Sequence, residues 1–169
     1  KNTLIDIATG AGFPGIPLKI AKPNLKVVLL DSLNKRILFL NEVINKLELE
    51  NIETIHARVE DIGKNIKYRE KFEIVTSRAV ANLAILSEYM IPLTKIGGKC
   101  ICMKGSSIKD EINESQKAIN LLGGKVEKID EFVLPSTDIK RNIIVIKKEK
   151  STPKNFPRKA GIPSKNPIN

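Results

Sequence analysis

Apolar positions along the chain fall into short runs rich in β-branched residues, separated by longer stretches with a three- and four-residue beat. Residues 3–7, 26–30, 52–56, 72–76 and 98–103 are runs of five or six positions of this kind, which predicts strands. Between residues 34 and 47, Ile37, Leu40, Ile44 and Leu47 recur at helical spacing, giving one stripe that can pack on a sheet. A second helix is predicted over residues 82–92 from Leu83, Leu86 and Met90. A third opens with Ser107 as N-cap and Asp110 three positions on, and stops at Gly123 and Gly124.

Strands alternating with helices imply a parallel sheet with crossover helices. After the third helix the beat changes: residues 125–134 and 142–149 are two strand-like runs with no helix between them, so they read as an antiparallel pair. The expected fold class is α/β and Rossmann-like, a mainly parallel seven-stranded sheet with one antiparallel strand near the C-terminal end. That order separates methyltransferase-like sheets from those of dinucleotide dehydrogenases. Residues 1–150 form the expected cofactor-binding domain. Residues 151–169 read as a basic tail interrupted by Pro153, Pro157, Pro163 and Pro167.

The length of 169 residues suits one domain with a core on both sheet faces. Lys and Arg outnumber Asp and Glu by 29 to 19, and the resulting +10 favours a polyanion such as nucleic acid, with an anionic membrane surface as the alternative. No apolar run approaches the roughly 20 residues of a membrane span, so a soluble, cytoplasmic protein is expected. Cys100 and Cys102 share one face of a strand, where a disulfide is poorly placed, so buried reduced thiols are expected. With His56 as the one histidine, the ligand set for zinc is lacking and no metal is expected. The chain enters a strand almost at Lys1, so an upstream segment is expected.

Gly10, Gly12 and Gly15 follow a strand and open a helix, a G-x-G-x-x-G pattern that alone is a weak signal. Glycine permits close backbone approach and positive φ, Pro14 suits the first helical turn, and free loop amides would suit an anion. That anion is either a dinucleotide pyrophosphate or the carboxylate of S-adenosylmethionine. Asp6, at the strand end, would repel pyrophosphate but can accept from an ammonium group or from loop amides, which favours S-adenosylmethionine. Asp31 ends the second strand 19 residues after Gly12 and can accept both ribose hydroxyls. The third strand runs into His56-Ala57-Arg58-Val59-Glu60-Asp61, whose amides and carboxylates could read an adenine edge.

The wording Asp6-Ile-Ala-Thr-Gly-Ala-Gly-Phe-Pro-Gly-Ile-Pro-Leu18 closely resembles the bacterial RsmG family, also called glucose-inhibited division protein B. Asp31-Ser-Leu-Asn-Lys-Arg-Ile37, Thr76-Ser-Arg-Ala-Val-Ala81, Met103-Lys-Gly105 and Thr152-Pro…Phe156-Pro-Arg-Lys-Ala-Gly-Ile-Pro163 resemble it in the same order. The resemblance implies a class I methyltransferase fold and transfer of a methyl group from S-adenosylmethionine to guanine N7 in 16S ribosomal RNA of the small subunit. It also implies cofactor contacts at Ala8, Phe13, Asp31, Ser32, Leu33, Val59, Glu60 and Arg78. The family carries an N-terminal helical segment before the first strand that this chain lacks. Position 8, usually glycine in this motif, is alanine here.

Guanine N7 bears a lone pair and no proton, so its methylation requires no general base, in keeping with the lack of a Ser-His-Asp, Cys-His or paired-carboxylate constellation. Arg78 is the candidate for positioning methyl group and base, with Asn82 and Lys104 as further substrate contacts, and His56 is given no role. From Lys147 onward, Lys147, Lys148, Lys150, Lys154, Arg158, Lys159 and Lys165 against Glu149 give a local +6, which makes this segment the expected RNA surface. Phe156 either stacks on a base or packs on the domain. A monomer acting on 16S ribosomal RNA or the small subunit is expected. An NAD-dependent oxidoreductase and a non-catalytic RNA-binding module on the same fold are the competing readings.

Overall fold

Parallel strands form where the apolar runs lie, and the crossovers between them place helices on both faces of a single sheet. The computed structural model describes residues 2–78 and 81–169. In chain order the elements are β1 (Thr3–Ile7), α1 (Gly15–Ala21), β2 (Lys26–Asp31), α2 (Asn34–Lys46), β3 (Ile52–His56), α3 (Val59–Lys64), β4 (Phe72–Arg78) and α4 (Leu83–Met90). A 3₁₀ turn (Ile91–Leu93) leads into β5 (Thr94–Lys104), followed by α5 (Lys109–Leu121), β6 (Gly124–Val133), β7 (Lys140–Lys148) and α6 (Ile162–Lys165). The strand order is β3-β2-β1-β4-β5-β7-β6, and β7 runs antiparallel to both its neighbours. This is the expected seven-stranded sheet with one reversed strand. Of the Thr76-to-Ala81 motif, Ala79 and Val80 lie outside the described residues.

Period-two alternation assigns each strand's side chains to one face or the other. Leu4, Val27 and Leu29 pack on Ile16 of α1 and on Ile37 and Leu40 of α2. On the opposite face Ile5, Val28, Leu30, Val75, Cys100, Cys102, Ile144 and Ile146 meet Leu83, Leu86 and Met90 of α4 and Ile112 and Ile119 of α5. Cys100 and Cys102 are buried free thiols, and burial pushes the Cys100 thiol up to about 11.

Several element bounds differ from the sequence reading, two of them with a clear physical reason. Helix α5 starts at Lys109 with Ile108 in the cap position and no side-chain cap, so Ser107 does not cap it. Ile108 is drawn into the core, and Glu111 reaches across to accept the Leu83 amide of α4 at 2.7 Å. Strand β5 begins at Thr94, because the chain pairs with Phe72, slips register, and resumes pairing at Ile74 opposite Lys99. The six-residue α3 is too short to show a helical period.

The tail is built into the domain. Arg69 donates to the carbonyls of Gly63, Thr152, Pro153 and Phe156 at 2.6–3.2 Å, and the Phe156 ring joins the core. Lys148, expected on a basic surface, is instead fully buried. Its Nζ donates to Ile91 O at 2.7 Å and Thr152 Oγ1 at 2.6 Å, and lies 3.0 Å from Glu70 Oε1. The Thr152 amide donates to the same Glu70 oxygen at 2.8 Å. One cation thus ties β7, the 3₁₀ turn, the approach to β4 and the tail together.

Burial pulls Lys148 below its ordinary value despite Glu70. Glu70 is held below the ordinary carboxylate value: burial would raise it, but the Thr152 amide and Lys148 outweigh burial. Replacing Lys148 by Met keeps the volume but strips Ile91, Thr152 and Glu70 of a shared donor. Because Glu70 is a quarter exposed, the expected loss is about 2–3 kcal/mol, below that of a fully enclosed pair, read as a lower urea midpoint. A carboxyl depressed in the folded state stabilises fully above its ordinary value and loses that contribution as pH falls through the depressed one. Glu70→Gln should therefore flatten the acid limb of stability against pH, below the ordinary value of 4.5, in urea unfolding over a pH series.

Candidate functional site

The order of strands reverses between β1 and β4, and open α/β sheets bind ligands at such a point, beyond the carboxyl ends of the strands. Asp6 lies inside β1, paired across to Thr76 of β4, and is 0% exposed. Its Oδ2 accepts from Thr9 Oγ1 at 2.6 Å and from the Gly15 amide at 3.0 Å, and its Oδ1 accepts from Thr76 Oγ1 at 3.2 Å. Burial raises its pKa, opposed by these bonds and by the charge of Arg78. Of the two expected partners of Asp6, an ammonium group or loop amides, the structure shows the Gly15 amide of the loop, and the carboxylate holds the glycine-rich turn in shape.

Two glycines make that turn possible. Gly12 has φ +95°, where a side chain is strained, and a Cβ on Gly15 would run into Leu29 and Asp6, so only glycine lets α1 start this close to the sheet. Ala8 has φ +50°, a left-handed conformation that costs a Cβ-bearing residue about 1 kcal/mol or more. The amides of Thr9, Gly10, Gly12, Phe13 and Gly15 all donate within the protein. The turn is therefore not the cradle of free amides that a pyrophosphate needs.

Asp31, at the end of β2, is 2% exposed. It accepts from the Gly10 amide on Oδ2 and from the Leu33 amide on Oδ1, both at 3.0 Å, with Arg36 Nη1 3.4 Å from Oδ2. It clasps the turn to β2 and, with about four lone-pair directions on a carboxylate, retains acceptor capacity. Next to it, Ile7, Ala8, Ser32, Ala57, Arg58, Val59, Glu60, Leu86 and Tyr89 line a cleft of about 160 Å³. A larger hollow of about 420 Å³ at Lys26, Lys67, Tyr68 and Lys71 lies at the opposite strand ends, away from this chemistry.

Glu60, at the start of α3, is buried and accepts from the Gly161 amide at 3.0 Å. One of its oxygens is thus already engaged by the tail. Burial, and then the charge of Glu60, push the Tyr89 hydroxyl above its ordinary value. At the mouth, the Arg78 guanidinium stands 5.8 Å from the centre of the half-exposed Phe13 ring. Leu33 is exposed beside Ser32.

The sequence-expected residues Ala8, Gly10, Gly12, Phe13, Asp31, Ser32, Leu33, Val59, Glu60 and Arg78 therefore gather at adjoining strand ends. Others do not join an open surface. The Lys104 side chain is 10% exposed and is held by Glu111 Oε1 at 2.6 Å and Ala81 O at 2.7 Å, so it is turned inward rather than toward RNA. Arg158 is similarly diverted: its Nη2, Nε and backbone amide all donate to Glu88, whose side chain is 1% exposed. Asn82 accepts from the Ala84 amide and caps α4. Lys154, Lys159 and Lys165 are exposed.

Glu88, Tyr89 and Arg69 escaped the sequence reading. The available signal was Glu88 itself, a carboxylate among buried Leu83, Ala84, Leu86 and Met90 of a short apolar helix, which demands a partner. Among the described residues no group of three or more His, Cys, Asp or Glu is arranged to hold a metal ion, and no helix is long and apolar enough to cross a membrane.

Several solved structures share this fold at low identity. A mutant of the 16S rRNA (adenine(1408)-N(1))-methyltransferase from Catenulisporales acidiphilia superposes with a TM-score of 0.73 at 14% identity, covering 94% of this chain and 88% of that one. TrmN from Thermus thermophilus gives 0.67 at 13% identity, over 87% of this chain and 44% of that one. Sequence relatives are far nearer. The ribosomal RNA small subunit methyltransferase G of Acetivibrio thermocellus is 59% identical over 169 residues, spanning 99% of this chain and 69% of the relative. The protein of that name from Clostridium novyi is 52% identical over 167 residues, with the same shares covered. A family model described as rRNA small subunit methyltransferase G matches residues 1–144, and the chain accordingly belongs to the ribosomal RNA small subunit methyltransferase G (GidB) family.

Proposed function

We propose that the protein binds S-adenosylmethionine in the cleft at the ends of β1, β2 and β3 and methylates N7 of a guanine in 16S ribosomal RNA, as a cytoplasmic monomer. The observation that carries the reading is the state of the glycine-rich turn. With five of its amides engaged by Asp6, Asp31, Leu30 and Thr9, it leaves few donors for a pyrophosphate, which disfavours NAD. Family membership disfavours a purely binding role. The donor set fits a nucleoside: a carboxylate at the end of β2 for ribose hydroxyls, flat apolar walls from Ile7, Ala57, Val59 and Leu86, and a carboxylate at Glu60 beside them.

The cofactor supplies an electrophilic methyl group on a sulfonium, which the N7 lone pair can take without prior loss of a proton. The chain's own task is then positioning and electrostatics. Asp6 fixes the turn, the turn and Asp31 fix the nucleoside end, and Glu60 and the Val59 amide face the adenine. Arg78 and Phe13 flank the mouth where the base enters, so the guanidinium can hold the acceptor edge of guanine while the ring shields the reacting atoms. Residues 1–150 carry this site. The exposed lysines of residues 151–169 contribute the contact to RNA phosphates, without Arg158 and Lys104.

Labelled methyl groups should pass from S-adenosylmethionine to the small ribosomal subunit or its RNA, and mapping should place them on a guanine N7. Asp31→Ala should raise the Kd for S-adenosylhomocysteine at least tenfold in calorimetry, since Asp31 both meets ribose and clasps the turn; unaltered affinity would remove the pocket from this place. Exchanging Lys154, Lys159 and Lys165 together for Ala should weaken RNA binding and lower the slope of log K against log salt by about 2–3. A filter-binding series over salt concentration reads that slope.

A further inference from the structure

The cleft has one wall that its own strands do not supply. Tyr89 of α4 and Glu60 of α3 line it, and the tail reaches this wall: the Gly161 amide donates to Glu60 Oε1 at 3.0 Å, and Arg158 is bound to Glu88, the neighbour of Tyr89. The tail is pinned beside them by one concentrated interaction. Glu88, adjacent to Tyr89, accepts from Arg158 N at 2.8 Å, from Arg158 Nε at 3.0 Å and from Arg158 Nη2 at 2.8 Å. A planar guanidinium fork matched to a carboxylate fixes direction as well as distance. Gly161 follows three residues on, with φ +87°, which turns its amide toward Glu60.

We propose that Arg158 and Gly161 are positioning residues of the methyl-donor site: the Arg158–Glu88 clamp seats residues 158–161 so that Gly161 orients the Glu60 carboxylate, and fixes Glu88 next to Tyr89 at the adenine side of the cleft. The inference rests on the cofactor reading above. It assigns Arg158 and Gly161 to the support of the pocket wall formed by Glu60 and Tyr89, leaving RNA contact to the exposed lysines. Arg158 acts through Glu88, Glu60 and Tyr89 and touches neither RNA nor cofactor. The exposed Lys159 and Lys165 sit on the outer side of the same wall.

The test uses the full chain and four proteins: wild type, Arg158→Ala, Arg158→Lys and Glu88→Gln. Each is titrated with S-adenosylhomocysteine below its own unfolding temperature, and assayed for methyl transfer to the small subunit. Arg158→Ala should raise the Kd for S-adenosylhomocysteine and the KM for the methyl donor about tenfold, with kcat at saturating donor retained. Arg158→Lys, a cation without the fork, should recover part of the loss, and Glu88→Gln should resemble Arg158→Ala. RNA affinity without cofactor, and its salt slope, should stay at the wild-type value. A lowered melting temperature with wild-type Kd and KM would make the clamp a stability device and overturn the proposal. So would a reduced salt slope with unaltered cofactor affinity. Absence of S-adenosylhomocysteine binding by the wild type would instead overturn the cofactor reading itself. If Arg158→Ala does not fold, the lysine and Glu88→Gln proteins carry the same comparison.

Discussion

A single enclosed carboxylate organises the nucleotide edge of this sheet. Asp6 sits within β1 and gathers a hydroxyl from the turn, the first amide of α1 and a hydroxyl from β4, so three separately formed elements converge on its two oxygens. Burial makes its negative charge costly, and the donors around it offset that cost. The geometry follows: α1 can begin only where the Gly15 amide reaches Asp6, and only glycine fits between Asp6 and Leu29. Gly10 is then carried over to Asp31, which closes the turn against β2. The shape of the strand-end cleft is thus downstream of an interaction made entirely within the protein.

A second constraint operates at the other end of the chain, where charges that would ordinarily seek water are taken inside. Lys148, Arg69 and Arg158 spend their donors on carbonyls, Glu70 and Glu88. Long aliphatic stems cover apolar surface while the heads find fixed partners. Such arrangements add less stability than their contacts suggest, because desolvation offsets much of the attraction. They do fix direction: a tail of irregular, proline-interrupted backbone takes one path across α3 and α4.

The sheet was legible because its strands are short, apolar and β-branched, and because the change of beat after Leu122 exposed the reversed strand. Asp31 could be placed from its spacing after the glycine-rich turn, and the resemblance singled out Glu60, Phe13 and Arg78. The roles of Asp6, Lys104, Lys148 and Arg158 could not be read. For each, the outcome depends on which partner stands opposite, and those partners lie 3 to 78 residues away in sequence. A lysine in a basic stretch looks solvated until Glu70 is known to face it. Glu88 was the one such residue with a visible signal, a carboxylate on an otherwise apolar helix.

The tail's contacts have a consequence for synthesis. Glu88 meets Arg158 across 70 residues, and Glu60 meets Gly161 across 101. Pairings of such long separation form late, since the intervening chain must first be brought together. While a ribosome is still translating the segment between them, β1 to β5 can assemble with their turn intact, yet the wall behind Glu60 and Tyr89 has no material to be made from. That wall is finished only after residue 161 has left the exit tunnel, well after the strands it backs have emerged.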